Sequence, residues 1–156
     1  MRAFGVVGCV LLSGCFFANA SAGKRLSESV NQMNRSTRWG QIADAARLVE
    51  PHYRPLFITN HRGWGQVIQV ADSEVVHVEL APDSESALAL VSYEWYLPDA
   101  MNLHQTMVRQ RWSKIGSNFV LFSEAVVQGD ARLLGGKAVA VQPAAADDDG
   151  TLGLAE

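Results

Sequence analysis

A chain of 156 residues, nearly half of them hydrophobic, has room for one domain of ordinary size and enough apolar material for one core. Thirteen Lys and Arg against sixteen Asp and Glu leave a net charge of -3, so no basic excess exists to hold phosphate backbones, and nucleic acid is excluded as an expected partner.

The chain opens with Met1 and Arg2, a minimal positive start, followed by an uncharged and mostly apolar stretch from Ala3 to Leu12. That stretch is too short to span about 30 Å of hydrocarbon as a helix and reads as the core of a signal peptide. Immediately after it stand Leu12, Ser13, Gly14 and Cys15. This run resembles the lipobox of bacterial lipoproteins: a branched apolar residue, two small residues and an obligatory Cys. The resemblance implies removal of residues 1–14, thioether attachment of a diacylglycerol to Cys15, and acylation of the new amino terminus. Several acyl chains, each contributing about 0.8 kcal/mol per buried methylene, make a stable anchor where one holds only marginally. Phe16 stands where some bacteria read an Asp as an inner-membrane retention signal, so the resemblance implies delivery to the outer membrane, with the domain facing the periplasm. An ordinary secretory signal is the alternative, cut at Ala18-Asn19-Ala20 or Ala20-Ser21-Ala22, with Phe16 and Phe17 extending the apolar core. Cysteine occurs only at Cys9 and Cys15, so loss of the leader leaves one thiol and no internal disulfide. Residues 15–25, rich in small side chains, are expected to be the lipidated Cys and a flexible spacer.

The domain itself is expected over residues 26–128. Apolar residues recur at helical spacing from Leu26 to Glu50, with Leu26, Val30 and Met33 on one stripe and Trp39, Ile42, Ala46 and Val49 on another. Two helical pieces or one kinked helix fit, with Ser36 as a plausible N-cap of the second piece and Gly40 costing it up to about 1 kcal/mol. Pro51 ends that segment, and Pro55 to Gly63 has the length of a short helix, with Trp64 capping the core beside it.

After Gly65 the period becomes alternating. Val67 to Leu80 reads as one long strand, or two broken near Asp72-Ser73, with Val76, Val78 and Leu80 on one face. A turn at Pro82 to Ser86 leads into Ala87 to Leu97, whose two faces both begin apolar, as expected of a central strand. Pro98-Asp99-Ala100 turns the chain again. Leu103 to Trp112 and Phe119 to Val127 then form strands joined by a hairpin connection through Lys114 to Asn118. From Gly129 onward the composition shifts to Gly, Ala and acidic residues, including Asp147-Asp148-Asp149, and residues 129–156 are expected to be a low-complexity, mostly disordered tail.

Helices first and a run of antiparallel strands afterwards is an α+β pattern, with the N-terminal helices packed on a curved four-stranded meander. The element order, together with Arg111-Trp112 and Phe119-Val120-Leu121 at the last hairpin, resembles the NTF2-like and cystatin-like rolls. The resemblance covers residues 30–127. It implies a cone between helix and sheet, in which related enzymes place an Asp-His pair for proton abstraction.

No phosphate loop, Cys-x-x-Cys, His-Glu-x-x-His or Gly-x-Ser-x-Gly pattern occurs, and no cofactor is expected. The four histidines, His52, His61, His77 and His104, are not paired at metal-ligand spacing, so no metal site is expected. Inside a roll the inward candidates for acid or base work would be Asp44 on a helix and Tyr93, Glu94 or His104 on strands, and nothing in the sequence brings them together; carboxylates on strands beside Arg109 and Arg111 fit cross-strand ion pairs. Tyr93, Trp95 and Tyr96 are candidate ligand-lining residues, with Trp95 and Tyr96 near the strand end set apart from an ordinary core role. The expected function is a non-enzymatic, lipid-anchored binding module of the cell envelope, held to the membrane through the anchor and engaging an envelope protein. The alternative is an NTF2-like small-molecule pocket protein or a lyase or isomerase.

Overall fold

The computed structural model describes residues 14–100 and 102–136, with side chains from Ser21 onward. The leader before Gly14, the side chain of Cys15 and the segment 137–156 lie outside the described residues. Helix α1 (Gly14–Arg38) is followed by the short helix α2 (Ile42–Ala45), a 3-10 turn (Ala46–Leu48) and α3 (Arg54–Asn60). Four strands then run as a meander: β1 (Gln69–Leu80), β2 (Ser86–Tyr96), β3 (His104–Ile115) and β4 (Asn118–Gly129). A final 3-10 turn covers Ala131–Leu134. The sheet is antiparallel throughout in the order β1-β2-β3-β4, so the molecule is α+β.

Helix α1 buries Ala22, Leu26, Val30, Met33 and Thr37, a stripe of four- and three-residue steps that keeps one face on the sheet. Two expectations are corrected here. The segment 15–25 is helical rather than a flexible spacer, because Ala22 continues the stripe of Leu26 and is itself 4 % exposed. Ser36 is interior to α1 rather than an N-cap, because the stripe runs on through Thr37 before the helix breaks. The break is set by Gly40, whose φ of +67° is the left-handed conformation that closes a helix. A Cβ there would meet Gly65 Cα and Trp64 O at 3.1 Å, so the α1 terminus and the loop before β1 touch backbone to backbone.

In β1 the register slips between Val75 and His77. Val75, Val78 and Leu80 therefore face inward against Val91, Ala89 and Ala87, while Val76 is pushed out and stands 52 % exposed. The expectation that Val76 shares a face with Val78 and Leu80 fails because a bulge inserts one residue into the alternation. The boundary at residue 128 also moves. Leu133 is fully buried and its carbonyl accepts from Trp64 Nε1 at 2.8 Å, so the turn after β4 closes the open end of the core. Among the described residues no helix is long and apolar enough to cross a membrane.

Candidate functional site: a polar seam through the core

The buried apolar side chains fall into two clusters. One joins α1 to the hairpin end of the sheet through Leu26, Val30, Met33, Phe57, Trp112, Phe119 and Leu121. The other fills the opposite end with Trp64, Ile68, Val91, Trp95, Val108 and Leu133. A seam of polar groups runs between the elements that carry them. Asn34 of α1 donates from Nδ2 to Val30 O at 2.8 Å and to Gln110 Oε1 at 3.3 Å, and its Oδ1 accepts from Gln110 Nε2 at 3.0 Å. The same Oδ1 accepts from the Tyr93 hydroxyl. Gln110 Nε2 also donates to Glu124 Oε1 at 3.0 Å, across the direct β3-β4 pair Gln110–Glu124. Beyond Glu124 lies His61, just after α3, with Nε2 3.5 Å from Oε2.

Both members of that last pair are sealed, at 0 % and 1 % side-chain exposure. Burial pushes the Glu124 carboxyl up to about 7, against the opposing hydrogen bond from Gln110. Burial pushes His61 down to about 4, although the Phe57 carbonyl favours its charged form. The contact is thus one between neutral groups through mildly acidic pH rather than a salt bridge. His61 Nδ1 lies 2.8 Å from Phe57 O, which fixes the proton on Nδ1 and leaves Nε2 as an acceptor. His61 Nε2 and Glu124 Oε2 are each without another hydrogen-bond partner, so a proton on Oε2 is the group that satisfies both. Tyr53 closes the far side: its hydroxyl accepts from Glu124 N at 3.1 Å, and burial followed by the Glu124 charge drives it up to about 12. Burial and then the same carboxylate raise Tyr93 well above its ordinary value. Stacking of Phe57 on His61, at 4.1 Å between centroids, and of His61 against Trp64, at 4.5 Å, holds the imidazole in place.

The residues singled out from sequence are scattered differently. Tyr93 and Trp95 are core, at 1 % and 0 % exposure, so the reading of Trp95 as an exception to the core is corrected, while Tyr96 is half-buried. Trp95 is clamped: His104 stacks on it at 4.6 Å, Arg132 lies over it at 5.9 Å, and its Nε1 donates to Thr106 Oγ1 at 3.0 Å. His104 lies 3.8 Å from Asp130, which is drawn below the usual carboxylate range chiefly by its hydrogen bonds from Arg132. Asp44 is exposed on α2, 3.6 Å from Arg47, and Glu94 is exposed on β2. Asp44, Glu94 and His104 therefore do not form one inward acid-base group; His104 alone meets another candidate, Trp95. The acid-base pair that does form, Glu124 with His61, was missed. Its signal was available in part: Glu124 falls inward by two-residue alternation only once the extra β4 residue Phe122, opposite the Arg111–Trp112 step of β3, is known. Among the described residues no group of three His, Cys, Asp or Glu is placed to hold a metal ion.

Among the described residues, two surface clefts bear on these side chains. One, of about 310 Å³, lies between α1 and β1 and is lined by Asn31, Asn34, Arg35, Arg38, Trp39 and Val75 among others; Asn34 is the single seam residue in its wall. Trp39 is 68 % exposed there, with the Arg38 guanidinium 5.5 Å over its ring. The other, of about 510 Å³, lies at the hairpin end of β2 and includes Glu79, Leu88, Arg109 and Arg111.

No known protein family and no curated protein matches the sequence. Among solved structures the fold is similar to the solution structure of a SEC-C motif containing protein from Rhodopseudomonas palustris, with a TM-score of 0.55 at 10 % identity over 70 % of this chain and 91 % of that one. At that identity the likeness speaks for the fold alone, which is an α+β arrangement shared with that protein.

Proposed function

We propose that the protein is a lipid-anchored cell-envelope lipoprotein, tethered through Cys15 and acting as a non-enzymatic binding module for another envelope protein. The observation that carries the binding half is where the aromatic area goes. Trp64, Trp95 and Trp112 are spent on a filled interior, while Trp39 stands outside at 68 % exposure beside Arg35 and Arg38. Exposed Trp flanked by Arg is the composition of an interface anchor. The anchoring half is supported by Leu12-Ser13-Gly14-Cys15 and by the continuity of α1, which would put lipid at one end of a helix whose other end carries Trp39. From Cys15 to Trp39, at about 1.5 Å per residue, that separation is about 36 Å.

The test is intact mass and membrane fractionation of the protein made in a Gram-negative host, beside Cys15→Ser. Loss of residues 1–14, gain of acyl mass and pelleting with membranes are expected of the parent, with the variant soluble. Two soluble proteins cut after Ala20 or Ala22 would overturn the tether. Site-specific photo-crosslinking from position 39 in living cells, compared with position 58 on the exposed side of α3, tests the binding half. A discrete adduct from 39 alone is expected, and equal patterns would sink the assignment.

A second reading draws on the seam. An NTF2-like roll with a small-molecule pocket, or a lyase or isomerase on that scaffold, would use Glu124 as base and Tyr93 or Tyr53 as hydrogen-bond donor. The convergence of shifted groups favours it, and the filled interior opposes it, since substrate would have to displace a packed side chain. A screen of small carbonyl compounds by thermal shift separates the two. Stabilisation that disappears in Glu124→Gln would favour the pocket reading.

A further inference from the structure

Among the described residues, the helices and both 3-10 turns pack on one face of the sheet and leave the other bare. On that bare face the register places Glu79, Leu88 and Arg111 in a single row across β1, β2 and β3, with His77, Leu90 and Arg109 in the next row. The β1 side is acidic, carrying Glu74 and Glu79 beside Asp72, whose carboxylate is paired at 2.9 Å with Arg38 of α1; the β3 side is basic, carrying Arg109 and Arg111. Among the described residues neither of these two guanidinium groups has a hydrogen-bond or ion-pair partner, and Glu79 lies 3.8 Å from His77 alone. Leu88, between the charged walls, is 39 % exposed, and the 510 Å³ cleft sits over it.

We propose that this face is the interface of a two-fold dimer, in which Glu79 of each chain pairs with Arg111 of the other on either side of Leu88. The charges select the axis. A two-fold parallel to β2 and passing over Leu88 reverses the strand order of the facing sheet while keeping each row level, so β1 meets β3 and Glu79 meets Arg111 twice, while β2 faces itself with Leu88 on Leu88 at the centre and the two exposed Glu94 carboxylates level with each other near the far end of the strand. A two-fold lying across the strands would set β1 on β1 and β3 on β3, opposing carboxylate to carboxylate and guanidinium to guanidinium. With β2 on the axis three strands overlap, and at about 4.8 Å apart, each of eleven or twelve residues rising about 3.3 Å, they present about 550 Å² per chain, the size of a small interface that associates weakly. A stable pair buries about 800 Å² per partner. The dimer is independent of the tether and leaves the Trp39 cleft, on the helical side, free.

The test is analytical ultracentrifugation of the full chain, as Cys15→Ser in reducing buffer so that neither lipid nor a disulfide contributes. Twice the chain mass is expected at micromolar concentration. Arg111→Glu and Glu79→Arg are each expected to weaken association by at least about tenfold, and the double exchange to restore it to within about threefold. A monomer throughout the micromolar range, a dimer indifferent to Arg111→Glu, or a double exchange no better than the singles would each overturn the proposal. Because both side chains are exposed, unchanged melting of the single variants checks that folding is not what is read.

Discussion

At the scale of single residues, the strongest consequence of the structure is that Glu124 and His61 mask each other's pH dependence. Glu124, raised from 4.5 to about 7, binds a proton in the folded chain that the unfolded chain has lost; taken alone it stabilises fully below pH 4.5, and that contribution is lost as pH rises through 7. His61, lowered from 6.5 to about 4, acts oppositely: its contribution is present above pH 6.5 and is lost as pH falls through 4. Between about pH 4.5 and 6.5 the two proton counts cancel, so this pair leaves stability flat. Glu124→Gln is expected to unmask the His61 slope, with stability falling on acidification below pH 6.5. His61→Gln is expected to unmask the opposite slope, falling from pH 4.5 to 7. Each amounts to a few kcal/mol across the window at about 1.4 kcal/mol per unit. Urea unfolding from pH 4 to 8 reads both, and parallel curves for parent and variants would refute the coupling. Gly129 makes a second residue-scale case. Its φ is +91°, and a Cβ there would lie 2.3 Å from Gln105 O, so Gly129→Ala must part β3 from β4 and is expected to cost about 3 kcal/mol or more in thermal or urea unfolding.

Elements were legible in the sequence to the extent that their periodicity was uninterrupted. The α1 stripe, the helix after Pro55 and the four strands announce themselves because one face of each meets the core and the other meets water. The exceptions share a cause: a local insertion or a tertiary partner that periodicity does not carry. The bulge at Val76 flips one residue without changing composition. The turn Ala131–Leu134 reads as tail because Ala and Gly dominate around it, yet one leucine and a carbonyl that meets Trp64 Nε1 make it part of the core. Leu133→Ala is therefore expected to destabilise by about 2–4 kcal/mol, as a buried Leu does and a tail residue does not. Equal urea midpoints for parent and variant would return the segment to the tail. Among site residues, Tyr93 was legible as inward but not as hydrogen-bonded, since Asn34 is 59 positions away and reaches it only through the packing of α1 on the sheet.

At the scale of the whole molecule, the four tryptophans divide the interior from the surface. Trp64, Trp95 and Trp112 are at most 2 % exposed, and Trp39 is the fourth. The ring stacks and hydrogen bonds around Trp64 and Trp95 tie α3, the sheet and the final turn into one unit, so those indoles report global unfolding, whereas Trp39 reports only its cleft. Trp39→Phe is expected to remove the acrylamide-quenchable, red-shifted part of the emission and to leave stability within about 0.5 kcal/mol, as surface substitutions do. The same variant would abolish the position-39 contact that the binding proposal needs. If Trp39→Phe instead lowers the unfolding midpoint by more than that while emission stays red-shifted, then one of the other three indoles is wet in solution and the filled interior, on which the choice of a binding module over a pocket protein rests, is wrong.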